Sequence, residues 1–451
     1  MQQFDAIFVG AGQAGPSLAA RMAERGMKVA LIERKFLGGT CVNAGCMPTK
    51  TLVASARAAY VSRRGAAFGV AIAGEITVDM QVVRQRAHKI TTDARNGLAE
   101  WLGNMDGVAI IYGHARFAAA DRITVNGDTL TAPRIFLNVG ARPVIPDLPG
   151  IDEIDYLTST SILELATLPR HLAVIGGSYI GLEFAQMYRR FGSKVTVIER
   201  GARIASREDE DVCEALREIL EAEDVSVRTG AEDIAFARHG DGTRISVDGI
   251  DIDASHVLVA TGRRPNTDDL GIDIAGVVID ARGYIRVDDK LATNIPGIWA
   301  LGDRNGRGAF THTSYNDFEI VAANLLDNED RKVSSRILAY ALYTDPPLGR
   351  VGMTEREATS SGRKVLVSTR PMAGVGRAKE RDETKGFMKV VADADTREIL
   401  GAAILGIEGD EAIHGIIDAM NAGTRYTDLQ WSVPIHPTVS ELIPTLLRGL
   451  R

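Results

Sequence analysis

The sequence predicts an α/β protein with two similar parallel-sheet units and a C-terminal α+β domain. Three observations predict this architecture. An apolar run at residues 6–10 leads into a Gly-rich turn, a helical pattern and a second apolar run. The same succession returns at residues 171–200, and from about residue 340 short strands are mixed with helices. Strands that alternate with helices favour a parallel sheet, whereas clustered strands favour an antiparallel one.

The first unit carries the features of a Rossmann-like dinucleotide-binding fold. Its turn, GAGQAG, places Gly10, Gly12 and Gly15 in the GxGxxG spacing, and the next apolar run, KVALIE, ends in Glu33. The glycines let the backbone approach a pyrophosphate, the helix N-terminus favours its negative charge, and the acid reaches ribose hydroxyls. The motif alone is weak, but the full order of strand, turn, helix, strand and acid predicts a dinucleotide site.

The second unit, HLAVIGGSYIGLEFAQMYRRFGSKVTVIER, repeats this order. Gly176, Gly177 and Gly181 belong to the turn, and Ser178 replaces the middle glycine of the fingerprint. Glu199 ends the second apolar run at the same offset as the acid of the first unit. The repetition of both pattern and offset predicts a second Rossmann-like domain and a second bound dinucleotide.

Residues 38–52, GGTCVNAGCMPTKTL, contain two of the three cysteines of the chain. Cys41 and Cys46 would be about 7.5 Å apart along the axis of an ideal helix. A disulfide needs Cα atoms about 4.4–6.8 Å apart, so these cysteines can bridge only in an irregular turn or a distorted helix start. Gly45 and Pro48 suit such a turn. A pair of reduced, buried cysteines is the alternative that the spacing leaves open.

Composition and charge exclude several classes of partner. A net charge of −7 argues against nucleic acid. No apolar run reaches the roughly 20 residues that a membrane helix needs. The N-terminus lacks the basic start and long apolar stretch of a signal peptide, so we expect a cytoplasmic protein without a membrane partner. In a reducing cytosol, close cysteine pairs are more often catalytic or metal-binding than structural.

Two further apolar runs, RIFLNVGARP and HVLVATGRRPN, are each followed by a Pro-containing segment that predicts a crossing between domains. A third glycine-marked run, IPGIWALGDRNG, leads to Asp303, whose side chain either faces a ligand crevice or belongs to a cap or turn. We expect these features to divide the chain into four parts, namely residues 1–145, 146–267, 268–335 and 336–451.

Two dinucleotides beside a redox-capable cysteine pair suggest an electron relay from a nicotinamide through a flavin to a disulfide. Such a relay needs a stabilised thiolate, a cation that balances its charge and an acid–base group for the thiol. Lys50, which follows Cys46 in the same segment, is a candidate cation. His436, in PIHPTVSE, is a candidate acid–base group that Glu441 would orient, although an isolated histidine is more often structural.

The order of motifs resembles that of the flavin-dependent pyridine nucleotide-disulfide oxidoreductases, which include glutathione reductase, dihydrolipoamide dehydrogenase and mercuric reductase. The segments that carry the resemblance span the chain: GAGQAG, GGTCVNAGCMPTK, GGSYIGLEFA, ATGRRPN, ALGDRNG and IHPTVSELIPTL. It implies a homodimer whose FAD-binding domain comprises residues 1–145 and 268–335. Residues 146–267 would bind NAD(P), and residues 336–451 would form the dimerisation domain.

The resemblance also implies distinct roles for the catalytic residues. Cys46 is the thiol next to the flavin, and Cys41 is the thiol that exchanges with substrate. Lys50 lies by the flavin ring and pairs with a glutamate of the second Gly-rich helix. The acid–base histidine and its carboxylate act across the dimer interface, where they complete the site of the partner subunit. The implied catalytic residues are Cys41, Cys46, Lys50, Glu183, His436 and Glu441.

The cofactors implied by the resemblance are FAD and a nicotinamide dinucleotide. Gly12 and Glu33 hold the pyrophosphate and adenosine of FAD, Asp303 binds its ribityl chain, and Tyr179 is the gate between flavin and nicotinamide. No metal ligands are implied. The full set of implied cofactor-binding residues is Gly10, Gly12, Gly15, Glu33, Gly39, Thr40, Lys50, Ala115, Gly140, Gly176, Gly177, Tyr179, Ile180, Glu183, Glu199, Gly262 and Asp303.

The end of the second unit bears on the choice between NADH and NADPH as the donor. Glu199 would bond the ribose hydroxyls of NADH and repel the 2′-phosphate of NADPH. Arg200 and Arg203 lie close by in sequence and would attract that phosphate. We favour NADH.

Departures from the family pattern bear on the electron acceptor. The chain ends LLRGLR without the C-terminal cysteine pair of mercuric reductases, and Cys213 lies in a helical pattern that indicates a structural role. Pro434 stands where dihydrolipoamide dehydrogenases have a further histidine. The chain most resembles mercuric-reductase-like proteins without metal cysteines, such as reactive-chlorine-species reductases. We expect a disulfide, metal-ion or oxidant acceptor. The alternatives are a dihydrolipoamide dehydrogenase and a non-catalytic flavin-binding subunit.

Overall fold

The computed structural model describes all 451 residues. Its helices are α1 Ala14–Ala23, α2 Gly39–Ala44, α3 Cys46–Arg63, α4 Met80–Gly103, α5 Tyr179–Phe191, α6 Glu210–Glu221, α7 Thr311–Leu326, α8 Glu355–Ser360, α9 Gly376–Glu380, α10 Gly409–Ala412, α11 His414–Asn421, α12 Tyr426–Leu429 and α13 Ile443–Arg448. Its strands are β1 Gln2–Gln3, β2 Ala6–Val9, β3 Val29–Glu33, β4 Val108–Tyr112, β5 Arg116–Ala119, β6 Arg122–Val125, β7 Asp128–Thr131, β8 Ile135–Leu137, β9 Ala141–Pro143, β10 Tyr156–Thr158, β11 His171–Ile175, β12 Lys194–Ile198, β13 Val225–Arg228, β14 Ile234–His239, β15 Gly242–Val247, β16 Ile250–Ala254, β17 His256–Val259, β18 Arg263–Pro265, β19 Ile298–Ala300, β20 Ala339–Leu342, β21 Leu348–Gly352, β22 Val365–Pro371, β23 Phe387–Asp393 and β24 Ile399–Leu405.

The first predicted unit lies in a five-stranded parallel sheet of order β19–β8–β2–β3–β4. Successive side chains alternate between the two faces, so Ile7 and Phe8 enter different apolar cores. Phe8 stacks on Phe136 with ring centroids 4.7 Å apart, and Phe136 stacks on Trp299 at 5.0 Å. Because both faces of the sheet are buried, its strands are continuous apolar runs rather than alternating ones.

The second predicted unit lies in another five-stranded parallel sheet, of order β10–β17–β11–β12–β13, next to an antiparallel meander of β14, β15 and β16. The two Pro-containing segments that follow β8 and β17 pair with each other as the antiparallel strands β9 and β18. A further four-stranded sheet, of order β1–β7–β6–β5, packs beside the first parallel sheet.

The C-terminal part of the chain forms a five-stranded antiparallel sheet of order β20–β21–β24–β23–β22. Its core contains side chains from the strands and from the helices α11 and α13, among them Val390, Ile404, Ile416 and Leu446. This is the mixed arrangement that clustered strands and helical patterns predict. The predicted fold class is confirmed, with two Rossmann-like parallel-sheet units and a C-terminal α+β domain.

One large apolar cluster joins the helices α3 and α5 to the C-terminal sheet. It contains Leu52 of α3, Phe184 of α5 and Leu405 of β24, all nearly inaccessible to solvent. The packing holds the starts of α3 and α5 in a fixed relation, and these helix starts carry the predicted residues Cys46, Lys50, Tyr179, Ile180 and Glu183. None of the helices combines the length and apolar character needed to cross a membrane.

Candidate functional site

The first Gly-rich turn connects β2 to α1, and its three glycine positions leave no room for a Cβ atom. Gly10 has a φ of +95°, and a Cβ added there would lie 2.4 Å from the carbonyl oxygen of Asn138. A Cβ at Gly12 would lie 2.6 Å from the side-chain oxygen of Asn138, and one at Gly15 would lie 2.6 Å from the carbonyl oxygen of Gly10. Gly39, in the cysteine-bearing segment, crosses directly over Gly12, where its Cβ would lie 2.8 Å from the Cα atom.

The second turn, between β11 and α5, has the same construction. Gly176 has a φ of +112°, and its added Cβ would lie 2.5 Å from the carbonyl oxygen of Ala260. The added Cβ of Gly181 would lie 2.1 Å from the carbonyl oxygen of Gly176. Ser178, which replaces the middle glycine, is exposed and precedes the first residue of α5. The segment at Ile204 packs on the neighbouring Gly177, whereas Ser178 is exposed and its side chain is accommodated.

A carboxylate stands beside each turn at the end of the following strand. Glu33 accepts hydrogen bonds from the backbone N–H groups of Ala11 at 2.9 Å and Lys35 at 2.8 Å. Glu199 accepts equivalent bonds from Gly177 and Gly201, both at 2.6 Å. Each carboxylate is thus oriented by the turn that would bind a pyrophosphate, which fits a ribose contact at the same place.

The other predicted cofactor-binding residues follow strands of the two parallel sheets or begin α5. Gly140 and Gly262, in the loops after β8 and β17, have positive φ, and a Cβ added to either would face open space. Ala115 is buried after β4, and Ile180 is half-buried in the first turn of α5. Such open cradles beside Gly-rich turns fit close approach of a bound dinucleotide.

Asp303 opens a short turn, Asp303–Asn305, directly after β19. Burial raises the pKa of its carboxyl group above the ordinary value, and the nearby Arg263 guanidinium opposes that rise. Arg263 also lies 3.4 Å from the hydroxyl of Thr40, through its Nη2 atom. The predicted flavin residues Asp303 and Thr40 therefore flank a cation that the sequence did not single out.

The cysteines meet because the helix breaks between them. The helix α2 ends at Ala44 and α3 begins at Cys46, with Gly45 between them at φ −136° and ψ −118°. A Cβ at Gly45 would lie 2.9 Å from the carbonyl oxygen of Thr40. This is the irregular geometry that a bridge between the two cysteines requires. Both are free thiols here, and each shifts the acidity of the other.

The surroundings of the two thiols shift their pKa values in opposite directions. The hydrogen bond from Cys41 lowers the pKa of Cys46 to about 6, with further help from the hydroxyl of Thr311 and the charge of Lys50. The same bond, together with burial, raises the pKa of Cys41 far above its ordinary value. The Cys46 sulfur lies 3.0 Å from Thr311 Oγ1. Cys46 therefore favours the thiolate at neutral pH, whereas Cys41 keeps its proton.

Lys50 is held by two groups from different parts of the chain. Its Nζ lies 2.8 Å from Glu183 Oε2, and the Glu183 side chain is 7% exposed. The other oxygen of Glu183 accepts the backbone N–H of Tyr343 at 3.0 Å. The Lys50 ammonium also lies 4.4 Å from the centroid of the Tyr343 ring. The cation is thus fixed near Cys46 by a buried carboxylate and an aromatic face.

His436 and Glu441 form a pair at the far end of the chain. His436 Nδ1 lies 2.7 Å from Glu441 Oε2, and the histidine side chain is 81% exposed. No hydrogen bond joins His436 to either cysteine of the same chain. A carboxylate on Nδ1 leaves Nε2 free to exchange a proton with a group outside the chain.

Sequence reasoning missed three residues that contact this site. Thr311 is the first residue of α7, Tyr343 follows β20, and Arg263 begins β18. Each contacts a predicted residue more than 200 positions away in the sequence. Two sequence features could have located two of them: the helix that follows ALGDRNG begins at Thr311, and Arg263 is the first arginine of ATGRRPN. No group of three or more His, Cys, Asp or Glu side chains has the arrangement of a metal site.

Comparison with known proteins gives matches over nearly the whole chain. Residues 4–317 match the family described as pyridine nucleotide-disulphide oxidoreductase, and residues 338–447 match the dimerisation domain of that family. A probable pyridine nucleotide-disulfide oxidoreductase, RclA of Escherichia coli K12, is 34% identical over 99% of both chains.

Other relatives carry different functional names. A mercuric reductase of Bacillus cereus is 33% identical over 97% of this chain and 70% of that protein. A dihydrolipoyl dehydrogenase of Thermus scotoductus is 33% identical over 98% of this chain and 96% of that protein. A solved structure, described as the Cu(II) complex of the HOCl-induced flavoprotein disulfide reductase RclA from Escherichia coli, superposes with a TM-score of 0.91. It is 34% identical and covers 99% of both chains.

Proposed function

Because the chain belongs to the pyridine nucleotide-disulphide oxidoreductase family, we propose that Cys41 and Cys46 are the redox centre through which it reduces its acceptor. The enzyme is an FAD-dependent NAD(P)H oxidoreductase. When bound, FAD supplies two-electron exchange between a reduced nicotinamide and a disulfide. The observation that carries the proposal is the break at Gly45, which brings Cys41 and Cys46 together beside Thr311 and the Lys50–Glu183 ion pair.

The two cysteines then have different tasks. Two electrons and two protons convert their disulfide into a Cys46 thiolate, a Cys41 thiol and one proton held elsewhere. The Cys46 thiolate is stabilised by Thr311 and Lys50, so it remains in place as a charged group. Cys41 Sγ loses its proton and attacks one sulfur of a disulfide acceptor, so the acceptor's S–S bond breaks and one product thiol leaves with that proton. Cys46 then attacks the Cys41 sulfur of the mixed disulfide, which releases the second product thiol and re-forms the Cys41–Cys46 disulfide. Since the pKa of Cys41 is raised, the attack by Cys41 needs a base.

We assign that base to His436 of the partner subunit in a homodimer. In its own chain, His436 projects into solvent and contacts Glu441, which would orient the imidazole and stabilise its protonated form. The segment before it exposes Trp431, Val433 and Ile435, with Val433 95% exposed. Such a run of exposed apolar side chains fits burial against a second copy. The match of residues 338–447 to a dimerisation domain supports the same arrangement.

We propose NADH as the donor. Glu199 is oriented toward the second turn by two backbone N–H groups and would accept from ribose hydroxyls. Arg203, which would attract a 2′-phosphate, is instead paired with Glu210 at 2.5 Å. We propose that the acceptor is a small disulfide or a soft metal ion, because a thiol pair recognises both. The description of the Escherichia coli relative as a disulfide reductase with a Cu(II) complex supports this choice.

The test is a comparison of cysteine variants in the FAD-loaded enzyme. Cys41→Ser and Cys46→Ser should each abolish NADH-dependent reduction of a small disulfide and of Cu(II). Cys213→Ser is the matched control, because Cys213 is buried in α6 and should leave turnover unchanged. Turnover that survives in either active-site variant would contradict the proposal. Dihydrolipoamide-dependent NAD⁺ reduction faster than reduction of any other substrate would identify a dihydrolipoamide dehydrogenase instead.

A further inference from the structure

A buried carboxylate, Glu208, lies between the second Gly-rich turn and the C-terminal sheet. It is 1% exposed and belongs to the loop that joins β12 to α6. One of its oxygens, Oε1, accepts hydrogen bonds from the hydroxyl of Tyr179 at 2.5 Å and from that of Tyr340 at 2.7 Å. Burial and the charge of Glu208 raise the pKa of both tyrosines, so both hydroxyls remain donors.

Tyr179 lies at the junction of the second Gly-rich turn and the C-terminal sheet, where its ring centroid is 5.5 Å from that of Tyr340. It is the first residue of α5, directly after the Gly-rich turn, and it is half-buried. One helical turn later, Glu183 holds Lys50 beside the cysteine pair. Side chains at positions i and i+4 share a helix face. Tyr179 and Glu183 therefore share one face of α5, with Tyr179 nearer the second turn and Glu183 nearer the cysteine pair.

The other oxygen of Glu208 faces the Arg350 guanidinium, which forms long ion pairs with Glu208 and Asp209 but no hydrogen bond. Arg350 is 1% exposed, and its Nε lies 3.8 Å from Glu208 Oε2. Neither Glu208 Oε2 nor any guanidinium nitrogen of Arg350 makes a hydrogen bond. Buried polar groups without partners are rare and costly. A small shift of Glu208 toward Arg350 would satisfy both groups if the bond to Tyr179 were released.

We propose that Glu208 is a positioning residue that latches Tyr179 across the nucleotide cleft, and that the incoming nicotinamide displaces Tyr179 from this latch. The inference rests on the proposed function. Tyr340 shares Oε1 with Tyr179, so each hydroxyl weakens the hold of Glu208 on the other. Arg350 receives the carboxylate once Tyr179 has left, which keeps the cost of opening small.

The two tyrosines should therefore respond in opposite directions to loss of the hydroxyl. Tyr179→Phe keeps the ring and removes the latch, so the Kd for the nicotinamide should fall about tenfold, as expected for a bond to a charged group. Tyr340→Phe leaves Oε1 to Tyr179 alone, so the Kd should rise about twofold or more. Tyr188→Phe is the matched control, because it removes a buried hydroxyl of the same helix that bonds the carbonyl of Ile162 at 3.0 Å.

The experiment uses the FAD-loaded enzyme and two readouts. Calorimetric titration with NAD⁺ gives an equilibrium Kd without electron transfer, and steady-state kinetics with NADH separates KM from kcat. Opposite shifts of Kd and KM for the two variants, with Tyr188→Phe unchanged, support the latch. Shifts in the same direction, or no fall in Kd for Tyr179→Phe, overturn it. If NADH and NADPH both fail to reduce the wild-type enzyme, the proposed function fails as well.

Discussion

The hydrogen bond between the two thiols should control the acidity of Cys46, and replacement of Cys41 tests this directly. The structure makes the Cys41 thiol the largest cause of a pKa of about 6 at Cys46, ahead of Thr311 and Lys50. A hydrogen bond to a charged group contributes about 1.5–3 kcal/mol, and 1.36 kcal/mol corresponds to about one pH unit. Cys41→Ala should therefore raise the pKa of Cys46 by about one to two pH units.

The assay is the rate of alkylation of Cys46 by iodoacetamide as a function of pH. It is followed by mass spectrometry on the reduced enzyme. In the wild type, the reactive thiolate should be present at neutral pH and disappear as the pH falls through about 6. In Cys41→Ala, the midpoint should lie higher, and in Thr311→Val the rise should be smaller. Cys213→Ala provides the control. An unchanged midpoint in Cys41→Ala would refute this account of the thiolate.

Three further variants test the other parts of the account. His436→Ala should keep flavin reduction by NADH in stopped-flow traces but lose acceptor turnover, and normal turnover would contradict its assignment as the base. Val433→Asp should convert the dimer to a monomer in sedimentation velocity. Val433 is 95% exposed in the single chain, and the variant would bury a charge where we propose that the second copy covers this side chain. Phe136→Ala should lower the free energy of unfolding in urea by about 3–5 kcal/mol, whereas a loss below 1 kcal/mol would contradict the stacked core.

The two dinucleotide-binding units were predictable because their constraints are local. Gly10 and Gly176 need positive φ, and each lies within one turn of the helix that it precedes. The acids Glu33 and Glu199 end apolar runs, so a periodic pattern locates them. The domain boundaries and the roles of the site residues stay predictions, although the structure brings Lys50 to Glu183 and His436 to Glu441.

The electrostatics of the cysteine pair were not predictable, because they depend on contacts between distant segments. Thr311 reaches Cys46 only after α7 and α3 have packed into the same crevice. Glu208 and Tyr340 meet only because the C-terminal sheet packs on the second unit. Neither Glu208 nor Tyr340 lies in a motif with a fixed spacing. The break at Gly45 was suggested by the sequence, but the direction in which it turns Cys46 depends on the approach of Thr40.

The most direct test of the relay is an anaerobic titration of the FAD-loaded protein with NADH and then with NADPH, recorded by visible absorption. The expected result is a broad long-wavelength band after two electrons per flavin. A Cys46 thiolate next to oxidised FAD would produce this band by charge transfer. The more effective donor would identify the nicotinamide, which we expect to be NADH. Direct bleaching without this band would mean that Cys41 and Cys46 take no part in electron transfer, and it would contradict the central claim.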